Sequence, residues 1–132
     1  RLDVIQPLFL NIKLKYLDKI NLHKIKLAKI YNEKLNEKFI KPTINKAEKH
    51  VFHIYNIRHP KRDKIRNYLK KHNIATEIHY PIPPYKQKVF QNFFKQNFPI
   101  SNEIHKTTLS LPISFSHTKR DILKVINVLN KF

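Results

Sequence analysis

The segment His50-Val51-Phe52-His53-Ile54-Tyr55-Asn56-Ile57 is rich in β-branched and aromatic residues and predicts a strand with at least one buried face, ended by Pro60. Arg62 to His72 follows with Ile65, Tyr68 and Leu69 at helical spacing, so a short helix is expected to bury that side. Asn73 stands where this helix should close in a left-handed cap, a conformation that asparagine tolerates best after glycine. Ile74 to Ile78 alternates as a second strand. It runs into His79-Tyr80-Pro81-Ile82-Pro83-Pro84, where the prolines fix φ and remove the N–H groups that further pairing needs. The expected unit is strand, helix, strand and a stiff loop.

Toward the N-terminus, Leu2, Ile5, Phe9, Ile12, Tyr16, Ile20, Leu27, Tyr31 and Leu35 recur at steps of three, four or seven, the stripe of an amphipathic helix. Asp3 followed by Gln6 resembles a capping box and puts the start at Val4, with Pro7 tolerated in the first turns. A helix from Val4 to Leu35 would be about 48 Å long, so a kink or break is expected near Asp18 to Asn21. Toward the C-terminus, Phe90, Phe93, Phe94 and Phe98 predict a local core under a loop, and Asn102 to Thr108 a short helix. Leu109-Ser110-Leu111 predicts a third strand, and Thr118 with Asp121 caps a last helix that turns Ile122, Ile126 and Leu129 inward. The expected fold class is α+β: a long N-terminal helix, then a small, mainly antiparallel three-stranded sheet covered by helices, in one domain over residues 1–132.

The 132 residues, 41% hydrophobic, suffice for one modest core. With no cysteine there is no disulfide, thiolate nucleophile, cysteine-based zinc site or iron–sulfur cluster. Glycine is also absent, where average usage of about 7% would supply about nine. The P-loop, the GxGxxG fingerprint and the GxSxG nucleophile elbow therefore cannot be written. Lys+Arg 27 against Asp+Glu 9 gives +18, which attracts nucleic acid, acidic membrane surfaces or phosphorylated ligands. The excess is mostly lysine in company with asparagine and isoleucine, as AT-rich codons would produce. No apolar run approaches the ~20 residues of a membrane span, and Arg1-Leu2-Asp3 lacks the regions of a signal peptide. A cytoplasmic chain without membrane contact is expected. It starts at Arg1 and contains no methionine, so it is treated as a fragment.

Eight histidines invite a metal reading, but the tightest pair, His50 and His53, would point to opposite faces of a strand, and no metal site is expected. A basic nucleic-acid-binding module is the alternative from another class. It rests on charge alone, without a helix-turn-helix, RNP-like or zinc-finger pattern. No Ser, His and Asp fall in a recognisable catalytic framework. Thr76-Glu77-Ile78-His79-Tyr80-Pro81-Ile82-Pro83 is different, because a strand delivers an imidazole and a phenol onto a loop that loses little entropy on binding. Those groups suit sugar hydroxyls or a diphosphate; the other reading is a tyrosine packed on its own prolines and a histidine satisfied by backbone.

Three blocks carry a family resemblance. They are Arg1-Leu2-Asp3-Val4-Ile5-Gln6 with Leu10 to Leu17, His50 to Leu69 closing on Glu77-Ile78-His79-Tyr80-Pro81-Ile82-Pro83, and Phe98-Pro99-Ile100-Ser101 through Leu109-Ser110-Leu111-Pro112. In order and spacing the chain resembles the DegT/DnrJ/EryC1/StrS sugar aminotransferases over essentially its whole length. It is similar to the C-terminal small domain of these fold type I, pyridoxal-phosphate-dependent enzymes. Glu77 through Pro84 with Gln87 is most similar to the 3-aminotransferases of nucleotide-linked 3-keto-6-deoxyhexoses.

The resemblance implies transfer of an amino group from L-glutamate to a dTDP-linked 3-keto-6-deoxyhexose in a homodimer, with pyridoxal 5′-phosphate held mainly by a large domain outside this chain. A cofactor-binding lysine and an acidic partner of the pyridine nitrogen would lie upstream. No lysine here matches the lysine motif, no catalytic residue is assigned, and the 132 residues alone are expected to be inactive. His79 and Tyr80 match the His-Tyr-Pro loop that approaches the sugar nucleotide. Gln87 matches a glutamine that lines the same mouth, a helix-capping role being the other reading. Arg1 matches an arginine near the cofactor phosphate. Tyr85 replaces a common histidine, Asn73 and Ala75 replace glycines, and Pro7 replaces an alanine. Some members are sugar dehydratases with histidine in place of the lysine, which is a further alternative.

Overall fold

The computed structural model describes residues 5–45, 47–90, 93 and 96–132. Two helices, α1 (Ile5–Leu14) and α2 (Leu17–Lys34), stand where one long helix was expected. The break falls at Lys15 and Tyr16, with Tyr16 at φ −105° and ψ 0°, not between Asp18 and Asn21. Asp18 lies in the first turn of α2, where a carboxylate suits the positive helix end. The Asp3–Gln6 cap and the start at Val4 involve residues outside those described. The apolar stripe divides at the break. Leu27, Tyr31 and Leu35 are buried, whereas Ile5, Phe9, Ile12 and Tyr16 are more than half exposed. Leu8, Leu10 and Leu14 are equally exposed, and none of the described residues of α1 is buried.

Strand β1 (Tyr55–Arg58) is shorter than the expected His50–Ile57. Phe52 turns the chain at φ 49°, and its N–H donates to His50 Nδ1 at 3.0 Å, a local bond that competes with strand pairing. Strand β2 (Thr108–Leu111) runs antiparallel to β1, pairing Tyr55 with Leu111 and Arg58 with Thr108. The second expected strand, Ile74 to Ile78, is reduced to a single bridge between Glu77 and Ser110, and Ile40 makes another with Arg58 on the opposite edge. Among the described residues, the sheet thus has two strands with a one-residue bridge on each side, where three strands were expected. Ile74 is drawn into the core and the prolines follow soon after, so pairing has little length in which to form.

Helix α3 (Arg62–Lys71) buries Ile65 and Leu69 as expected, with Tyr68 half-buried. Arg62 at its start is also buried, and its Nη1 donates to the Thr108 carbonyl at 3.1 Å, fastening α3 to β2. α3 ends in a left-handed closure. Asn73 takes φ 58°, its N–H donates to the Lys70 carbonyl, and the Ile74 N–H donates to the Leu69 carbonyl, both at 3.0 Å. Helix α4 (Pro99–Thr107) begins three residues before the expected Asn102 because Pro99 occupies its first turn. Of the expected phenylalanine core, Phe90 and Phe93 are exposed with ring centroids 6.3 Å apart, Phe98 is half-buried, and Phe94 lies outside the described residues.

Helix α5 (Lys119–Asn130) buries Ile122, Val125, Ile126 and Leu129. Its capping box is complete, with the Asp121 N–H donating to Thr118 Oγ1 at 3.2 Å and the Thr118 N–H donating to Asp121 Oδ2 at 2.8 Å. The Thr118 hydroxyl, donating to Asp121 Oδ2 at 2.7 Å, and then the Thr118 N–H hold the Asp121 carboxyl below its usual range. Thr118→Ala is expected to cost about 1 kcal/mol, read as a lower urea midpoint at unchanged m; an unchanged midpoint would remove the cap from the account. α2, α3 and α5 close over the sheet in one core that includes Tyr31, Tyr55, Ile57, Ile65, Leu109 and Ile126. Among the described residues, no helix is long and apolar enough to cross a membrane.

Candidate functional site

The loop that leaves α3 is held at three points. Ile74 anchors its start in the core, and Glu77 exchanges backbone hydrogen bonds with Ser110 at 2.7 and 3.3 Å. Further on, the Tyr80 carbonyl accepts a bond from His105 Nδ1 on α4 at 2.5 Å. His79 lies between the last two anchors. It is half-buried, its Nδ1 is 2.8 Å from Ser110 Oγ, and the Ser110 hydroxyl donates in turn to Asn56 Oδ1 on β1. Tyr80 is 66% exposed, its ring edge-on to His79 with centroids 5.4 Å apart.

His79 lines an open cleft of roughly 210 Å³ together with His53, Thr76, Glu77, Ser110 and Pro112. The two residues expected to bind are therefore an imidazole on the cleft wall and a phenol standing in solvent beside it, and neither ring is sunk in the core. The His79 partner is a side-chain hydroxyl rather than a backbone group, and Tyr80 is not packed away on its prolines.

Gln87 does not line this cleft. Its N–H donates to the Pro84 carbonyl at 3.0 Å and its carbonyl accepts from Phe90 at 2.8 Å, so its backbone closes one single-turn helix, Pro84–Lys86, and leads into the next, Lys88–Phe90. Tyr85, which replaces a histidine, fastens the loop: its hydroxyl donates to Asn102 on α4 and its ring lies 4.7 Å from that of Phe98. Arg1 lies outside the described residues. His50 and His53 precede β1 rather than lying on it, and only His53 reaches the cleft. Among the described residues, no three His, Asp or Glu side chains are grouped to hold a metal ion.

Sequence reasoning did not select Ser110, Asn56 or His105. Ser110 had a visible signal, as a polar residue between two leucines on a strand whose four residues are all buried. The cleft lining contains no lysine or arginine, so this cleft does not fit the phosphate of pyridoxal 5′-phosphate.

Residues 1–130 match the DegT/DnrJ/EryC1/StrS aminotransferase family. The chain is 39% identical over its full length to the dTDP-3-amino-3,6-dideoxy-alpha-D-galactopyranose transaminase of Aneurinibacillus thermoaerophilus, covering 37% of that protein. Its fold superposes on the crystal structure of S. venezuelae DesV with TM-score 0.94 and 27% identity, over 99% of this chain and 36% of that one. A DegT DnrJ EryC1 StrS aminotransferase from Brucella abortus gives TM-score 0.93 and 26% identity over the same shares. The chain spans little more than a third of these relatives and takes the α+β fold of a small domain within them. By sequence and by fold, the chain belongs to the DegT/DnrJ/EryC1/StrS aminotransferase family.

Proposed function

We propose that this chain is the C-terminal small domain of a sugar-nucleotide aminotransferase that moves an amino group from L-glutamate to a dTDP-linked 3-keto-6-deoxyhexose. The observation that carries this reading is the His79–Tyr80 pair, one ring on a small cleft whose mostly apolar wall carries a few polar groups and the other exposed beside it, on a loop tethered to both β2 and α4. The 39% identity to a dTDP-aminosugar transaminase supports the substrate class. Pyridoxal 5′-phosphate, bound mainly by the rest of the protein, supplies the electron sink for amino transfer. The part played by this chain is to bind and orient the sugar nucleotide. A net charge of +18 favours approach of a dianionic diphosphate. The exposed apolar side chains of α1 support packing against a further domain or a second subunit of a homodimer. A cytoplasmic enzyme is the setting that goes with this substrate.

The test joins the chain to its upstream coding region and measures the cofactor absorbance band and glutamate-dependent amination of a dTDP-ketosugar. A folded protein with neither band nor amination overturns the proposal; dehydration without amination moves it to the dehydratase branch. In the active protein, His79→Ala and Tyr80→Ala are each expected to weaken dTDP-sugar binding about tenfold, the loss of one hydrogen bond. The cofactor band should remain unchanged in both. A variant that loses the band instead would place these residues at the cofactor.

A further inference from the structure

Ser110 is 5% exposed and lies opposite Asn56 in the β1–β2 register, while its backbone also bridges to Glu77. Its hydroxyl makes two further contacts. It donates to Asn56 Oδ1, and it lies 2.8 Å from His79 Nδ1. A hydroxyl has one proton, and an amide oxygen can only accept. With that proton committed to Asn56, Ser110 Oγ can meet His79 only as an acceptor, so Nδ1 carries the ring proton. In a neutral imidazole the other nitrogen, Nε2, is then bare.

We infer that Ser110 and Asn56 are positioning residues that hold His79 as its Nδ1–H tautomer, so that Nε2 accepts a hydrogen bond from a sugar hydroxyl and does not serve a phosphate oxygen. The inference rests on the sugar-nucleotide reading of the cleft. Phosphate oxygens of a diphosphate carry lone pairs and no proton at neutral pH, and two lone pairs facing each other repel. A sugar hydroxyl can turn its proton toward Nε2. The other titratable groups on the cleft, His53 and Glu77, leave this arithmetic unchanged, since neither stands between Ser110 and Nδ1. The device requires all three residues: Asn56 orients the Ser110 proton, Ser110 orients the His79 proton, and His79 presents the lone pair.

The experiment reads the tautomer directly. The full-length protein, labelled with [15N]histidine, is examined by NMR at pH about 8.5, where histidines are ordinarily neutral, and His79 is assigned by difference with His79→Gln. A protonated Nδ1 is expected in the native protein and in Ser110→Thr, which keeps the hydroxyl. Asn56→Leu frees the Ser110 proton to turn toward Nδ1 and should move the ring to Nε2–H. Ser110→Ala, which removes the acceptor of the Nδ1 proton, reports the same shift if Asn56→Leu does not fold. A bare Nδ1 in the native protein, or a tautomer unmoved in the folded variant, overturns the relay.

Calorimetry with two probes tests the selection. Asn56→Leu should weaken binding of a dTDP-hexose about tenfold and leave dTDP alone within about twofold. Equal losses for both probes overturn the preference for a hydroxyl. Because the tautomer is observed without ligand or turnover, a protein with the native relay that fails to bind the sugar nucleotide refutes the proposed function and not the relay.

Discussion

Tyr31→Ala is expected to destabilise the chain by about 3–5 kcal/mol, the range for deleting a large buried ring, out of a total that for most domains is roughly 5–15 kcal/mol. Tyr31 is fully buried on α2 and stacks on Tyr55 of β1, with ring centroids 4.6 Å apart and planes 24° from parallel. The pair joins helix to sheet. Each phenol also has a partner: Tyr31 donates to the Pro112 carbonyl at 2.9 Å and Tyr55 to Asn32 Oδ1 at 2.5 Å. Tyr31→Phe keeps the ring and removes only the hydroxyl, so its cost should be about 1–2 kcal/mol. Urea unfolding of the two variants separates cavity from hydrogen bond. Equal midpoints would mean that the ring packing contributes nothing beyond the hydroxyl.

The same pair should make stability fall steeply in alkali. Burial, with the neighbouring Tyr55 adding to it, holds the Tyr31 phenol well above its ordinary value, and burial does the same for Tyr55. Below the unfolded value of about 10, both phenols are protonated in both states and the full stability is present. As the pH rises beyond it, the unfolded chain releases these protons while the folded chain retains them. Stability then falls by roughly 1.4 kcal/mol per pH unit for each group until the folded value is reached. Urea midpoints at pH 9, 10 and 11 should therefore drop progressively, and the drop should be much shallower in a Tyr31→Phe, Tyr55→Phe double variant. An identical slope in that variant would show that other groups control the alkaline limit.

The parts of the fold that were legible in the sequence are those decided within about one helical turn. Thr118 and Asp121 announce α5, and Asn73 announces the left-handed end of α3, because both signals depend on neighbours three or four positions away. The strands were harder to delimit. β-branched and aromatic residues at His50 to Ile54 fit a strand equally well, and only the turn at Phe52 excludes them. Whether Ile74 to Ile78 pairs along its length or at one residue depends on where β2 lies, which no local pattern encodes. The break between α1 and α2 was expected but misplaced, since an acidic residue can stop one helix or start the next. At the cleft, the loop carrying His79 and Tyr80 was legible from its proline brace, while their assignment to a sugar nucleotide came from the family resemblance. Asn56 and Ser110 were not legible, because they become neighbours of His79 only through the register of the sheet.

That register also bears on how the chain reaches its native state. Arg58 and Thr108 are paired in the sheet yet stand fifty positions apart in the chain. Bringing them together closes a large loop, which carries a considerable entropic cost and makes for slow, high-contact-order folding. His79 lies inside that loop, and the two residues that orient it lie on the strands that close it. Until closure the imidazole lacks the Ser110 hydroxyl that sets its proton, so ligand recognition of the kind proposed should require the paired sheet.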